Sequence, residues 1–359
     1  MSAQFASLRR ATSLTSSASA SPLWQKNTRP QWQFKRPHFF VGALIALSTI
    51  VPLGTSSAAS PFIIGVATVP RALPFFVAEH EGYLAQEAPN VKIADCFPGW
   101  KCLEKMLAGA FQLSTAADTP IVRASFARSD FAVIATIASS STDNHIVGSK
   151  AAGIFSIKQL VGKKVGVVKG SSIDYFLDSV LVFEGIDPAK VEKLDIAPEQ
   201  MATALQQQKI DAFALFDPGL SKAVDILGNS VTVLKTPPIY LSTFNIIAPR
   251  ASLGKNDAEI TKVLRAIDKA NLFIRQQPDA AQRIMYKRLK MALPTSNSVV
   301  SNIDYTLSLD QTFIKTLEGE ARWFSQQKGF SGIKPANYLD LIYPTPLLQV
   351  RPQAVTIVK

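Results

Sequence analysis

From residue 61 onward, short β-rich apolar runs alternate with amphipathic stretches, and this alternation predicts α/β layers rather than a helical bundle or a β-sandwich. Runs rich in Val, Ile and Phe predict strands at 62–68, 91–97, 111–115, 131–137, 164–168, 191–196, 212–216, 231–235 and 244–248. Segments with helical spacing lie between them at 74–81, 100–107, 119–127, 172–183, 198–208 and 219–227. After 257 the texture changes to three long helical segments, 257–276, 278–290 and 309–327. The last stretch, 329–359, holds Pro335, Pro344, Pro346 and Pro352 and reads as an irregular arm or tail.

The order of these elements predicts more than a fold class. Gly162-Lys163-Lys164-Val165-Gly166-Val167-Val168 opens a fresh α/β unit after the polar stretch 139–144, and 243–248 crosses back once the second unit ends. Two crossings imply a discontinuous first lobe, 60–142 plus 245–328, around an inserted second lobe, 143–244. Such a chain leaves a cleft between lobes, a preferred place for a small ligand.

Residues 1–59 stand apart. Lys35 and Arg36 precede an apolar run over 39–53, followed by Thr55-Ser56-Ser57-Ala58-Ala59, the order of a cleaved export signal with its cut near Ala59. The run is about fifteen residues long, short of the ~20 that a membrane-spanning helix needs. The expected location is therefore periplasmic or otherwise extracytoplasmic. The long stretch ahead of the apolar run also fits a start codon placed too early or an organelle transit peptide, and Arg9-Arg10 lies some thirty residues before it. No Cys sits near the cut to carry a lipid anchor.

The net charge of +11 suggests nucleic acid until it is located. Six basic residues and no acid fall in 1–59, which leaves +5 spread over the rest without the stripe that a phosphate backbone requires. The two cysteines, Cys96 and Cys102, flank Phe97-Pro98-Gly99-Trp100-Lys101. Pro98-Gly99 favours a turn, and an oxidising compartment would let the pair persist as a disulfide. His80 and His145 have no ligand spacing to them, so no metal site is expected.

A family resemblance rests on several segments in consistent order. They are the opening run 62–68, Ala78-Glu79-His80-Glu81-Gly82-Tyr83-Leu84, Leu107-Ala108-Gly109-Ala110-Phe111-Gln112-Leu113, Asp118-Thr119-Pro120, Gly170-Ser171-Ser172, 204–213 and Phe216-Asp217-Pro218. Over about 62–324 the chain resembles the periplasmic solute-binding proteins of ABC importers for sulfonates, taurine, nitrate and thiamine-precursor pyrimidines. The resemblance implies a type II periplasmic-binding-protein fold, a small-molecule ligand, a membrane permease as partner, no cofactor and action as a monomer. Gln208, where relatives often have Gly, the cysteine pair and the proline-rich end depart from that pattern.

Ligands of open α/β sheets sit beyond the carboxyl ends of strands. Arg71 follows the first strand and is placed either to grip an anionic head group or to lie in solvent. Ser171 and Ser172 either cap a helix or donate to a ligand oxygen, and the resemblance favours the binding role. Asp118 and Thr119, and likewise Asp217, are helix caps or acceptors for a ligand amine; Ser140 is a hinge residue or a ligand contact. Trp100, Phe216 and Tyr240 are core residues or aromatic walls. An anion would draw on Arg71 and helix N-termini, a pyrimidine or amine on Asp118, Asp217 and the rings. No nucleophile elbow, P-loop or His-Glu-x-x-His is present, so capture without chemistry is expected. The alternatives are an enzyme of pyrimidine metabolism on the same fold and a ligand sensor.

Overall fold

The computed structural model describes residues 61–291 and 299–358; the expected export signal and its cut near Ala59 lie outside the described residues. The first stretch of chain runs β1 (Phe62–Ala67), α1 (Leu73–His80), α2 (Tyr83–Glu87), β2 (Val91–Cys96), α3 (Gly99–Leu107), β3 (Leu113–Ala117), α4 (Asp118–Ser125) and β4 (Phe131–Ser140). The second runs β5 (His145–Ser149), β6 (Lys164–Val167), α5 (Ser172–Phe183), β7 (Glu192–Asp195), α6 (Met201–Gln206), β8 (Ala212–Leu215), α7 (Gly219–Leu227) and β9 (Val231–Val233). The third runs β10 (Ser242–Pro249), α8 (Asp257–Gln276), α9 (Pro278–Leu289), α10 (Gln311–Ser325) and α11 (Thr345–Val350).

The strands form two five-stranded sheets, ordered β2-β1-β3-β10-β4 and β7-β6-β8-β5-β9. In the first, β1 is parallel to β2 and β3 while β10 runs antiparallel between β3 and β4. The second repeats the plan, with β6 parallel to β7 and β8, and β5 antiparallel between β8 and β9. The polypeptide passes to the second sheet between Ser140 and His145 and returns between Val233 and Ser242. The two exits are neighbours, because Ser140 and Ser242 face each other across the β4–β10 ladder.

Sequence explains each strand's place. The last four residues of β1, Ile64 to Ala67, are buried, as expected of a central strand covered on both faces by helices. β7, Glu-Lys-Leu-Asp, is half exposed, and its charges suit an edge. At Gly65 a Cβ would stand 2.4 Å from the Phe111 ring, so only glycine lets that ring close over the sheet. On α8 the buried Ile260, Val263, Leu264, Ile267 and Ile274 recur at helical spacing and face α1, α2 and α11.

The C-terminal stretch differs from expectation. Tyr338, Leu341, Ile342 and Leu347 are buried in the first core, and the Tyr343 N–H donates to the Val133 carbonyl at 3.0 Å. Its prolines do not loosen it, because Pro346 sits in the first turn of α11, where a missing N–H costs nothing. β5 is a second departure: His145 opens a strand that its polar approach concealed.

Candidate functional site

Loops at the carboxyl ends of β1, β2 and β3 on one side, and of β6, β7 and β8 on the other, line one cavity between the sheets. This is where a doubly wound sheet leaves its backbone N–H groups and side chains free to meet a ligand. Phe97, Trp100 and Phe244 wall it from the first sheet, Phe216 from the second, with Val168 and Ile303 completing an apolar lining. A disulfide joins Cys96 and Cys102, with Cα atoms 5.6 Å apart, and so ties the end of β2 to α3 across the turn that carries Phe97 and Trp100. Trp100 remains 37% exposed at the mouth.

Arg71 reaches the cavity but does not offer a free charge. Its Nε and Nη2 donate to the two oxygens of Asp143, each at 2.7 Å, and Nη1 donates to Ser242 Oγ. The residue is 7% exposed; burial alone would lower the guanidinium pKa, and the Asp143 carboxylate more than offsets this and holds it above its ordinary value. Arg71 thus clasps both crossings, since Asp143 lies on the outward one and Ser242 closes the return. Neither role expected for it, anion hook or solvated surface charge, describes this position.

Four further residues expected either to hold ligand or to serve the structure are engaged in internal hydrogen bonds. Asp118 is fully buried and turned away from the cavity: Oδ1 accepts from the Thr119 N–H at 3.0 Å and the Tyr240 hydroxyl at 2.7 Å, and Oδ2 from the Thr243 N–H at 2.8 Å. Thr119 Oγ1 donates to Glu320 Oε1 at 2.7 Å, and Tyr240 OH lies 2.8 Å from the same oxygen. Asp118, Thr119 and Tyr240 therefore pin α4 to α10 and the return crossing, and their polar atoms are spent on one another. Ser140 Oγ donates to the Asn302 carbonyl at 2.6 Å and accepts from the Thr142 N–H, which makes it a brace at the outward crossing.

In that cluster Tyr240 has one hydrogen for two carboxyl oxygens. A proton on Glu320 supplies the second hydrogen bond. Burial, then the neighbouring Asp118 charge, pushes the Glu320 carboxyl well above its ordinary value, and among the described residues its Oε2 has no partner. Burial raises the Asp118 carboxyl as well, opposed by the Thr243 N–H, the Tyr240 hydroxyl, the field of Arg71 and the Thr119 N–H.

The cavity does bring together Arg71, Trp100, Ser171, Ser172, Phe216 and Asp217. Gly170 has φ of +71°, a left-handed turn that delivers Ser171 and Ser172 to the start of α5. Ser171 Oγ donates to the Val168 carbonyl at 2.6 Å. Asp217 Oδ1 accepts from the Ser221 N–H at 2.9 Å and Ser221 Oγ at 2.6 Å, closing the first turn of α7; among the described residues Oδ2 has no partner. Sequence reasoning missed Asp143, His145, Phe97 and Phe244. Phe97 lay in plain view between the cysteines, whereas His145 gave no signal before its strand was known. Burial lowers the His145 pKa, against the pull of Asp217 and Asp143, and keeps the ring neutral near pH 7.

Comparison with known proteins gives this arrangement a context. The profile of a family described as NMT1/THI5 like matches residues 69–281. An Escherichia coli K12 protein named for binding aliphatic sulfonates is 25% identical over 288 residues, 79% of this chain and 88% of that protein. The crystal structure of the E. coli periplasmic aliphatic sulphonate binding protein SsuA superposes with a TM-score of 0.67 at 21% identity, covering 79% of this chain and 97% of that one. The alkanesulfonate-binding protein SsuA of Xanthomonas axonopodis pv. citri, bound to MOPS, superposes with a TM-score of 0.67 at 20% identity, covering 79% and 98%.

Proposed function

The chain belongs to the NMT1/THI5 like family, and from that premise we propose that it is the extracytoplasmic solute-binding component of an ABC-type importer, capturing a small molecule between its two sheets. One observation carries the reading. Loops from both sheets face a single cavity, and the Arg71–Asp143–Ser242 clasp lies where the two crossings run side by side. A ligand that touches both walls gains its full contacts only when they approach, so it shifts the population toward a closed form that a membrane permease recognises. The expected division into 60–142 plus 245–328 and 143–244 fits such a motion.

Capture without chemistry fits the side chains on hand. Both cysteines of the chain are joined to each other, so no thiol is available as a nucleophile. His145 is the one imidazole lining the cavity, and among the described residues no serine hydroxyl bonds to it to form a nucleophile–base pair. We place the protein outside the cytoplasm, exported by its N-terminal segment and acting as a monomer. No helix of the described residues is long and apolar enough to cross a membrane.

A thermal-shift screen of alkanesulfonates, taurine, nitrate, pyrimidines and aromatic acids tests the reading; the names of the relatives put sulfonates first. A ligand at a hundred times its Kd stabilises by about 2.7 kcal/mol, a rise of about 4 °C in Tm for a chain of this size. Small-angle scattering should show compaction with the same compound. Turnover of any of them, or no shift from any class, would end the transport reading.

A further inference from the structure

Capture by closure requires the two cores to hold one particular separation, and one bond between them lies away from the cavity. We propose that Trp323 on α10 is a positioning residue for solute capture: its indole N–H, bonded to Asp178 on α5, latches the two cores in the closed form and so sets affinity without touching the solute. The proposal rests on the solute-binding reading and adds to it a residue that stabilises the closed state.

The two residues answer to different cores. α10 places Phe313, Leu317 and Phe324 in the first, and the Phe324 ring stands edge-on to Phe126 with centroids 6.1 Å apart. α5 buries Ile173, Phe176, Leu177 and Val180 in the second. Between them Trp323 Nε1 donates to Asp178 Oδ2 at 2.9 Å, and the Trp323 and Tyr175 rings form a T-shaped pair with centroids 5.4 Å apart. Tyr175 also packs edge-on against Tyr240 of the return crossing, at 5.0 Å. Trp323, Asp178 and Tyr175 border a surface hollow shared with Ile239 of that crossing, separate from the cavity.

Both helices joined by this contact lead back to the cavity. Ser171 and Ser172 at the start of α5 line one wall, and Pro120 in the first turn of α4 lines the other. On α5 the path from that loop to Asp178 is cross-tied. Asp174 Oδ2 accepts from the Gly170 N–H at 2.9 Å, and Lys193 Nζ bridges Asp174 Oδ1 and Asp178 Oδ2 at 2.7 Å each. On the other side Thr119 of α4 donates to Glu320, one turn of α10 before Trp323. The indole bond therefore fixes the gap between the two helix starts. At the rim the walls already touch, because a Cβ on Gly170 would stand 3.3 Å from Arg123 Nη1 of α4. An opening cleft carries α5 away from α10 and breaks the bond, since an N–H···O pair is lost beyond about 3.5 Å.

Asp178 depends on that donor. Oδ2 takes both the indole and Lys193, while among the described residues Oδ1 has no partner. Without the indole N–H, a carboxylate whose side chain is 11% exposed keeps Lys193 alone. A bond to a charged group at so buried a site shifts an equilibrium by about tenfold. Because it exists only in the closed form, that factor enters Kd as faster release, whereas encounter with the open form does not involve it.

Stopped-flow fluorescence, with Trp100 at the cavity mouth as reporter, tests the latch. The probe is the tightest-binding compound of the thermal-shift series of alkanesulfonates, taurine, nitrate, pyrimidines and aromatic acids. Trp323→Phe keeps a ring against Tyr175 and removes the N–H; Asp178→Ala removes the acceptor and leaves Lys193 its bond to Asp174. Each variant should bind about tenfold more weakly, with the dissociation rate raised and the association rate within about twofold of the parent. The double variant should be no more than about threefold weaker than either single, because both lose the same bond. The urea midpoint of ligand-free Trp323→Phe should match the parent, since the open form lacks the contact. Unchanged or tighter binding, additive losses, or a weakening that a lower ligand-free midpoint explains overturns the latch and leaves the solute-binding reading intact. Silence from the whole thermal-shift series removes that reading and the latch with it.

Discussion

Replacing Arg71 by Met separates two accounts of this residue that make opposite demands. If the guanidinium is a structural clasp, its removal leaves the Asp143 carboxylate, 12% exposed, facing a protein interior, and takes a donor from Ser242. Both partners are nearly sealed from solvent, so screening reduces the effect little, and a buried pair broken on one side costs about 3–5 kcal/mol. The same rule predicts recovery when both charges go: Arg71→Met with Asp143→Leu should return to within about 1 kcal/mol of the parent, because apolar residues of similar volume replace such pairs with little loss. Urea denaturation followed by far-UV circular dichroism reads all three differences, provided the m-values agree. Affinity for the cognate solute should fall by much less than the stability loss implies once measured on the folded fraction. A single variant as stable as the parent that has lost its ligand would refute the clasp and restore Arg71 as a head-group ligand.

Two further outcomes follow from the buried groups. The Glu320 carboxyl ionises near 4.5 in the unfolded chain but is held well above that in the fold by burial and by Asp118, so the native state keeps a proton the unfolded state has lost. Its contribution is complete below pH 4.5 and drains away as pH rises toward the native value, by up to about 1.4 kcal/mol per pH unit; Glu320→Gln should flatten that slope between pH 5 and 8, and parallel slopes would sink the assignment. Cys96 and Cys102 enclose a short loop, and replacing both with Ser should cost about 2 kcal/mol by the chain-entropy relation, with the cognate solute losing affinity as the Phe97–Trp100 turn loosens. An unchanged urea midpoint, or free thiols titrating in the native parent, would contradict it.

The architecture was legible because its signals are local. Strands buried on both faces must be nearly uniformly apolar, and 62–68, 131–137 and 212–216 could hardly be anything else. Where sequence failed, the deciding contact was distant. Nothing near Asp118 announces that Tyr240 and Thr243, 122 and 125 positions away, will consume its oxygens, and the local grammar of an acid before a proline at a helix start reads identically for a cap, a ligand and a cross-brace. Arg71 followed the same logic: its partner, Asp143, lies 72 residues on, in a crossing whose path depends on both sheets being in place.

Aromatic and glycine signals behaved differently, since what they report is shape. Phe216 at a strand end and Gly170-Ser171-Ser172 before a helix were drawn to the cavity because the strand's end and the turn themselves point there, whatever their neighbours do. Charged residues are a poorer guide to a cleft like this one. A charge inside a protein is stable only when another group answers it, and the nearer to the hinge the charge stands, the more the protein's own need for a matched pair competes with the ligand's. Here that competition was settled for Arg71 by Asp143 and for Asp118 by Tyr240 and Thr243.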